Sequence, residues 1–138
     1  MAASTIFSYQ SIDDKNIHSI ISETRKGVEF SAFNSFVNQS PFSLIEWSSF
    51  LNISDRTLQR YKEKKQRFDS IHSERIIQIL LLFKRGVEVF DDEKYFYTWL
   101  VTQNIALGNI TPKELLDNTF GIQLLNDELT RIEHGVLA

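Results

Sequence analysis

Apolar residues recur along this chain three and four positions apart and almost nowhere in strict alternation, a pattern that predicts helices throughout and no strand pair. A first helix is expected over Asp13–Lys26, with Ile17, Ile20 and Ile21 on one face and Gly27 as its stop. A second runs from Phe30 to Asn38. Pro41 opens a third, with Leu44, Ile45, Trp47, Phe50 and Leu51 on its buried side. Ser54 is suited to cap a fourth, because its hydroxyl can accept a bond from an orphan first-turn amide. Ser73 is expected to cap a long fifth helix, "ERIIQILLLFKRGVEVF". Its apolar residues Ile76, Ile77, Ile79, Leu80, Leu82, Phe83, Val87 and Phe90 cover more than one stripe, which implies a central helix, a dimer surface, or both.

"DDEKYFYTWL" starts the next helix, with acidic residues at its positive end. Thr111, Pro112 and Glu114 form a capping box with proline at the first helical position, opening a helix that Gly121 ends. "IQLLNDELTRIEH" follows, with Leu125, Leu129 and Ile132 at helical spacing and Gly135 as a left-handed stop. The expected fold is all-α and compact, without internal repeats or low-complexity segments.

Composition supports a packed core: 42% of the 138 residues are hydrophobic and eleven are Phe, far from the disordered regime. That length fits one domain or two very small ones. Cysteine is absent, which excludes disulfides and thiolate metal sites and suits a reducing compartment, the cytoplasm. The N-terminus carries no basic start followed by an apolar run, and no stretch approaches the ~20 apolar residues that span a bilayer, so no membrane partner is expected.

A net charge of −3 argues against a nucleic-acid partner until its distribution is considered. From Arg56 to Arg67 six cations face one anion, Glu63, giving +5 and leaving about −8 on the rest. This basic run follows "LIEWSSFLNISDRTLQRYKE", Leu44–Glu63, which has the layout of a helix-turn-helix. Ser48 allows close helix approach, Asn52 tolerates the left-handed turn, and Trp47, Leu51, Ile53, Leu58 and Tyr61 hold the second helix down.

Arg56, Gln59 and Arg60 fall opposite Leu58 and Tyr61, and are candidates for base edges in the major groove of duplex DNA. Lys62, Lys64, Lys65 and Arg67 suit backbone phosphates, and Thr57 on the flank suits one as well. The competing reading is a solvated helix face, and Glu63 would repel DNA unless Arg60 or Arg67 neutralises it. A single module with this few cations binds weakly, so a homodimer on paired half-sites is expected.

From about Gly27 onward, roughly four fifths of the chain, the sequence resembles the Xre/MbcA/ParS family of toxin-binding antitoxins. "ISDRTLQRY" is similar to the family's Ser-x-Arg-Thr-Leu-x-Arg pattern, and "SERIIQI" to its Ser-(Asp/Glu)-Arg segment. The more specific half is "WLVTQNIALGNITPKELLDNTFGIQLLNDELTRIEHGVLA". It is similar to the family's Trp-Leu, Ala-Leu-Gly, Thr-Pro-x-Glu-Leu-Leu, Gly and Leu-x-Arg-Ile-x-x-Gly elements, in order.

The resemblance implies an antitoxin of a type II toxin-antitoxin system. Its helix-turn-helix would bind double-stranded operator DNA and repress its own operon, and its C-terminal part would inhibit a RES-domain, NAD-degrading toxin within a larger complex. Carried over residue by residue, it makes Arg131, Glu133, His134, Gly135 and Val136 toxin-facing, with Asn104, Leu107 and Gly108 in the preceding loop. A cation such as Arg131 suits a cleft built for a diphosphate; the alternative is that Arg131 and His134 complement the negative end of their helix. Trp99, Leu115, Leu116, Leu129 and Ile132 fit the core. The organisation expected is an extension over 1–26, a helix-turn-helix region over 27–72, central or dimerisation helices over 73–98 and a toxin-binding region over 99–138. The extension matches no pattern of the family.

No enzyme signature competes. His18, His72 and His134 lack ligand spacing, no serine sits in a Gly-x-Ser-x-Gly elbow, and no glycine-rich phosphate loop occurs. "DDEK" is explained by helix-dipole compensation. Neither catalysis nor a cofactor is expected. Two other readings remain: a repressor with no toxin partner, its tail serving only for dimerisation, and a toxin inhibitor that does not bind DNA.

Overall fold

The computed structural model describes residues 16–135. Residues 1–15 of the expected extension, including Asp13–Lys15 of the first predicted helix, and the toxin-contact candidate Val136 lie outside the described residues. Seven α-helices occupy the described part: α1 (Ile17–Lys26), α2 (Phe30–Gln39), α3 (Leu44–Leu51), α4 (Asp55–Lys64), α5 (Ser70–Phe90), α6 (Glu93–Leu100) and α7 (Thr119–Glu133). Two 3-10 turns, Ile105–Leu107 and Pro112–Leu115, lie between α6 and α7. Pairing between extended residues is limited, among the described residues, to one isolated bridge between Asn104 and Ile110. The fold is all-α, as the periodicity predicts. It divides within α5 into a first unit ending at Leu81 and a second beginning at Leu82.

The first unit is built on an aromatic core. Trp47, wholly buried, meets Phe33 at 5.6 Å, Phe36 at 5.1 Å and Phe50 at 5.3 Å between ring centroids, all edge to face. Such pairs contribute about 0.5–1.5 kcal/mol each beyond the area they bury. The indole N–H donates to the Ser40 hydroxyl at 3.0 Å, so the buried ring leaves no polar atom unsatisfied.

The start of α3 departs from expectation. Ser43 rather than Pro41 opens it: its hydroxyl accepts the Glu46 N–H at 3.2 Å while Glu46 Oε1 accepts the Ser43 N–H at 3.0 Å. This reciprocal cap satisfies two orphan donors, which a proline ring cannot do. Ile45, expected on the buried side, is 67% exposed.

Ser73 does not cap α5 either. The helix begins three residues earlier, where Asp69 Oδ1 accepts the His72 N–H at 2.8 Å, and Ser73 is completely buried inside it. Its hydroxyl accepts the Val28 N–H at 2.9 Å and donates to the Phe68 carbonyl at 3.3 Å. Of the apolar residues that give α5 its breadth, Ile76, Ile77, Ile79, Leu80, Leu82 and Phe83 are buried within the chain, whereas Val87 and Phe90 are only partly covered.

In the second unit, Phe96 packs edge to face on Phe83 at 5.4 Å and Trp99 lies 5.7 Å from Phe90. Gly86 makes room for this: a Cβ there would fall 2.1 Å from the Phe96 ring. Asp92 opens α6, its carboxylate accepting the Lys94 N–H at 2.7 Å. On that helix, burial pushes the Tyr97 phenol well above its usual pKa, reinforced by the charge of Glu93 and a hydrogen bond to it.

The Thr111–Glu114 box exists but starts only the short turn Pro112–Leu115, and Gly121 ends no helix. Asn118 restarts the chain as α7 by accepting the Phe120 and Gly121 N–H groups at 2.9 and 3.1 Å. Gly121 serves close packing instead, since a Cβ there would lie 2.4 Å from the Leu115 carbonyl oxygen. Leu116, Leu125 and Leu129 are fully buried, while Trp99, Leu115 and Ile132 are only partly covered.

Candidate functional site

The turn between α3 and α4 forms as its residues require. Asn52 adopts the left-handed conformation at φ 58° and ψ 39°, closing α3 with bonds back to Ser48 and Ser49. Ser48 is buried and donates to the Ile45 carbonyl at 2.6 Å. Ser54 then caps α4 by accepting the Thr57 N–H at 3.0 Å, and its hydroxyl bonds Thr57 Oγ1 at 2.9 Å. Leu58 is wholly buried beneath α4, and the Tyr61 ring packs on Phe68 at 4.9 Å.

The outer face of α4 carries Arg56 and Arg60 exposed, with Gln59 partly so. Lys62, Lys64 and Lys65 are exposed beyond them, and Lys65 ends the helix in the left-handed region at φ 51°. None of these five cations forms a side-chain ion pair with a described residue. Glu63 shares the face, likewise without an ion pair to Arg60 or Arg67 among the described residues.

Arg67 is placed differently. Its Nη1 donates to the Gly27 carbonyl at 2.8 Å and its Nη2 lies 3.7 Å from Glu29. Beside it the Phe68 N–H donates to the Val28 carbonyl at 2.9 Å. Together with Ser73, these bonds clasp residues 27–28 to residues 67–68. The guanidinium thus has a structural task that charge counting does not reveal.

In the second unit the loop after α6 is shaped by Asn104. Its Oδ1 accepts the Ala106 N–H at 2.9 Å, its own N–H donates to Ile110, and its carbonyl accepts the Asn109 N–H at 2.9 Å. Leu107, expected at the toxin surface, is buried instead, because the 3-10 turn directs it into the core. Gly108 has φ 90° and open space around it. The outward apolar residue of this loop is Ile105, 86% exposed, which the sequence reading passed over.

Below that loop, the Thr111 N–H and hydroxyl donate to Glu114 Oε2 at 2.9 and 2.8 Å. These bonds hold the Glu114 carboxyl below its usual pKa.

At the end of α7, the Arg131 guanidinium donates to the Glu128 carboxylate. The acid side chain is 3% exposed and the arginine 52%, so a buried anion anchors a cation that still reaches solvent. Glu133 Oε1 accepts from Arg85 Nη2 at 3.0 Å, and the same nitrogen donates to Thr130 Oγ1 at 2.8 Å. His134 and Gly135 follow exposed, with Gly135 at φ 68°.

Three residues of α7 went unnoticed in the sequence: Phe120 at 80% exposure, Leu124 at 45%, and the buried Glu128. Helical periodicity carried the signal for the first two, since i and i+4 from Phe120 fall away from Leu125 and Leu129. Nothing local marks a buried glutamate. Among the described residues no group of three or more His, Asp or Glu side chains is placed to hold a metal, and no helix is long and apolar enough to cross a membrane.

Residues 19–80 match the antitoxin Xre-like helix-turn-helix domain, and residues 85–135 match the antitoxin Xre/MbcA/ParS C-terminal toxin-binding domain. The chain belongs to the Xre/MbcA/ParS antitoxin family. A Yersinia enterocolitica protein named antitoxin Xre is 32% identical over 87 residues, 62% of this chain and 59% of that protein, so the match spans less than two thirds of that relative. A Photorhabdus laumondii antitoxin Xre is 25% identical over 119 residues, 76% of this chain and 80% of that one. The helix-turn-helix match contains the basic face of α4, and the toxin-binding match contains both the Asn104 loop and α7.

Proposed function

We propose that this chain is the antitoxin of a type II toxin-antitoxin pair, acting without catalysis of its own. It binds and inhibits a RES-domain toxin that degrades NAD, and it represses its own operon by binding operator DNA as a homodimer within the larger complex. The observation that carries the reading is the joining, in one chain, of a helix-turn-helix match and a toxin-binding match. Arg56, Thr57, Gln59, Arg60, Lys62, Lys64 and Lys65 form the DNA-reading surface. Arg131 is the principal contact for the toxin cleft, held in place by Glu128.

The test is to co-express the chain with the product of the adjoining gene and follow NAD consumption. The wild-type chain is expected to suppress consumption and co-purify as a complex, whereas Arg131→Glu releases the activity. Binding of the promoter duplex should weaken linearly with the logarithm of salt concentration, as phosphate neutralisation requires. Unrestrained NAD loss in the presence of the wild-type chain overturns the toxin assignment. A flat salt dependence overturns the DNA assignment.

A further inference from the structure

The exposed face of α7 is not a uniform polar surface. At about 100° per residue, with Phe120 at zero, Leu124 falls near 40°, Asp127 near −20° and Arg131 near 20°. The buried residues Gly121, Ile122, Leu125, Glu128 and Leu129 occupy the arc from about 80° to 200°. Phe120, Leu124, Asp127 and Arg131 therefore form one strip at positions i, i+4, i+7 and i+11, and all four are exposed. It spans about 16 Å along the helix.

Two large apolar side chains followed by an acid and an anchored arginine form the anchor pattern of a helix laid into a groove. Because the strip lies within residues 85–135, the part matched by the toxin-binding domain, and includes Arg131, its occupant is the protein that Arg131 meets. Asp127 in the middle of the strip disfavours an anionic lipid surface.

We propose that Phe120 and Leu124 are the apolar anchors of toxin binding, seated in a hydrophobic groove of the toxin that adjoins the cleft occupied by Arg131. The inference rests on the toxin-inhibitor reading and assigns the chemistry of the second half of that contact. Arg131 supplies the charge that meets the cleft, and the Phe120–Leu124 pair supplies affinity and the choice of toxin.

The test titrates the full chain carrying Phe120→Ser together with Leu124→Ser against the toxin purified from the same operon. The expected result is binding weaker by about 30-fold or more, the loss typical of central interface anchors. Melting temperature, solution mass of the free chain and operator affinity stay at wild-type values, and the apolar pair Phe120→Leu with Leu124→Met keeps wild-type toxin affinity. Should the serine pair lower the melting temperature, Phe120→Lys at the more exposed position carries the test alone. Unchanged affinity of the serine pair, while Arg131→Glu still abolishes binding, overturns this inference and leaves the inhibitor reading standing. Absence of any complex with the wild-type chain overturns both. A fall in the free chain's mass on serine substitution assigns the strip to a second copy and overturns the proposal.

Discussion

Helices α4 and α7 both present charge to solvent, but they hold it in opposite ways. On α4 the cations Arg56, Arg60, Lys62 and Lys64 have no ion-pair partner among the described residues, and the helix buries only Leu58. On α7 five residues are buried, Arg131 is tied to Glu128 and Glu133 to Arg85. The difference matches what each surface would meet. Phosphates recur along any duplex and attract through long-range charge, so solvated, unconstrained side chains suffice. One protein cleft presents a fixed geometry, and ordering a side chain beforehand lowers the entropic cost of docking.

The sharpest way to break this contrast is to remove the α4 arginines. Arg56→Ala with Arg60→Ala is expected to lower operator affinity by about two to four powers of ten, since each bidentate base contact is worth about 1–3 kcal/mol. Fluorescence anisotropy on the promoter duplex reads this, with chemical stability unchanged. Equal affinity would mean that α4 is only a solvated face.

Next in size is a matched pair of core truncations. Leu58→Ala and Leu125→Ala should each cost about 2–5 kcal/mol in urea unfolding. A much smaller cost at Leu58 would show that α4 is held by the Ser54 cap and the residues following it rather than by its single buried side chain. Smaller still, Gly121→Ala is expected to cost about 1–3 kcal/mol, because its new methyl must displace the Leu115 backbone.

The smallest effect concerns pH. Glu114 has a lowered folded-state pKa, so its contribution is complete above the ordinary carboxylate range and disappears as pH falls through the folded value. The wild-type chain should melt slightly above Glu114→Gln at pH 7, and the gap should close on acidification. A gap that widens in acid would show that the Thr111 bonds are not what holds the proton off.

What could be read in the sequence was local. Asn52 in a left-handed turn, Ser54 as a cap and Gly135 as a stop depend on a few neighbouring atoms, and each appears as expected. The Ser43–Glu46 cap of α3 is equally local, yet Pro41 draws the expected helix start too early; the other misplacements come from packing. Ser73 resembles a cap but binds residues distant in sequence, Gly121 resembles a stop but is a packing contact, and Leu107 sits in a loop yet is buried. Of the candidate site, charge counting located the basic face but not the separate duty of Arg67. Family motifs drew attention to Arg131 while leaving Phe120 and Leu124 unremarked, since a helix end expected at Gly121 separates Phe120 from the register of Leu124, Leu125 and Leu129.

The clasp between residues 27–28 and 67–68 also gives the helix-turn-helix segment a closed outline. The chain departs at Val28 and returns, forty positions later, to a hydrogen bond with it. Entry and exit stand side by side, as in a cassette with adjoining connectors. If this segment reads operator DNA as proposed, its outward face could diverge while the paired ends, and the Arg75 bond to the Phe50 carbonyl, keep it seated on α5.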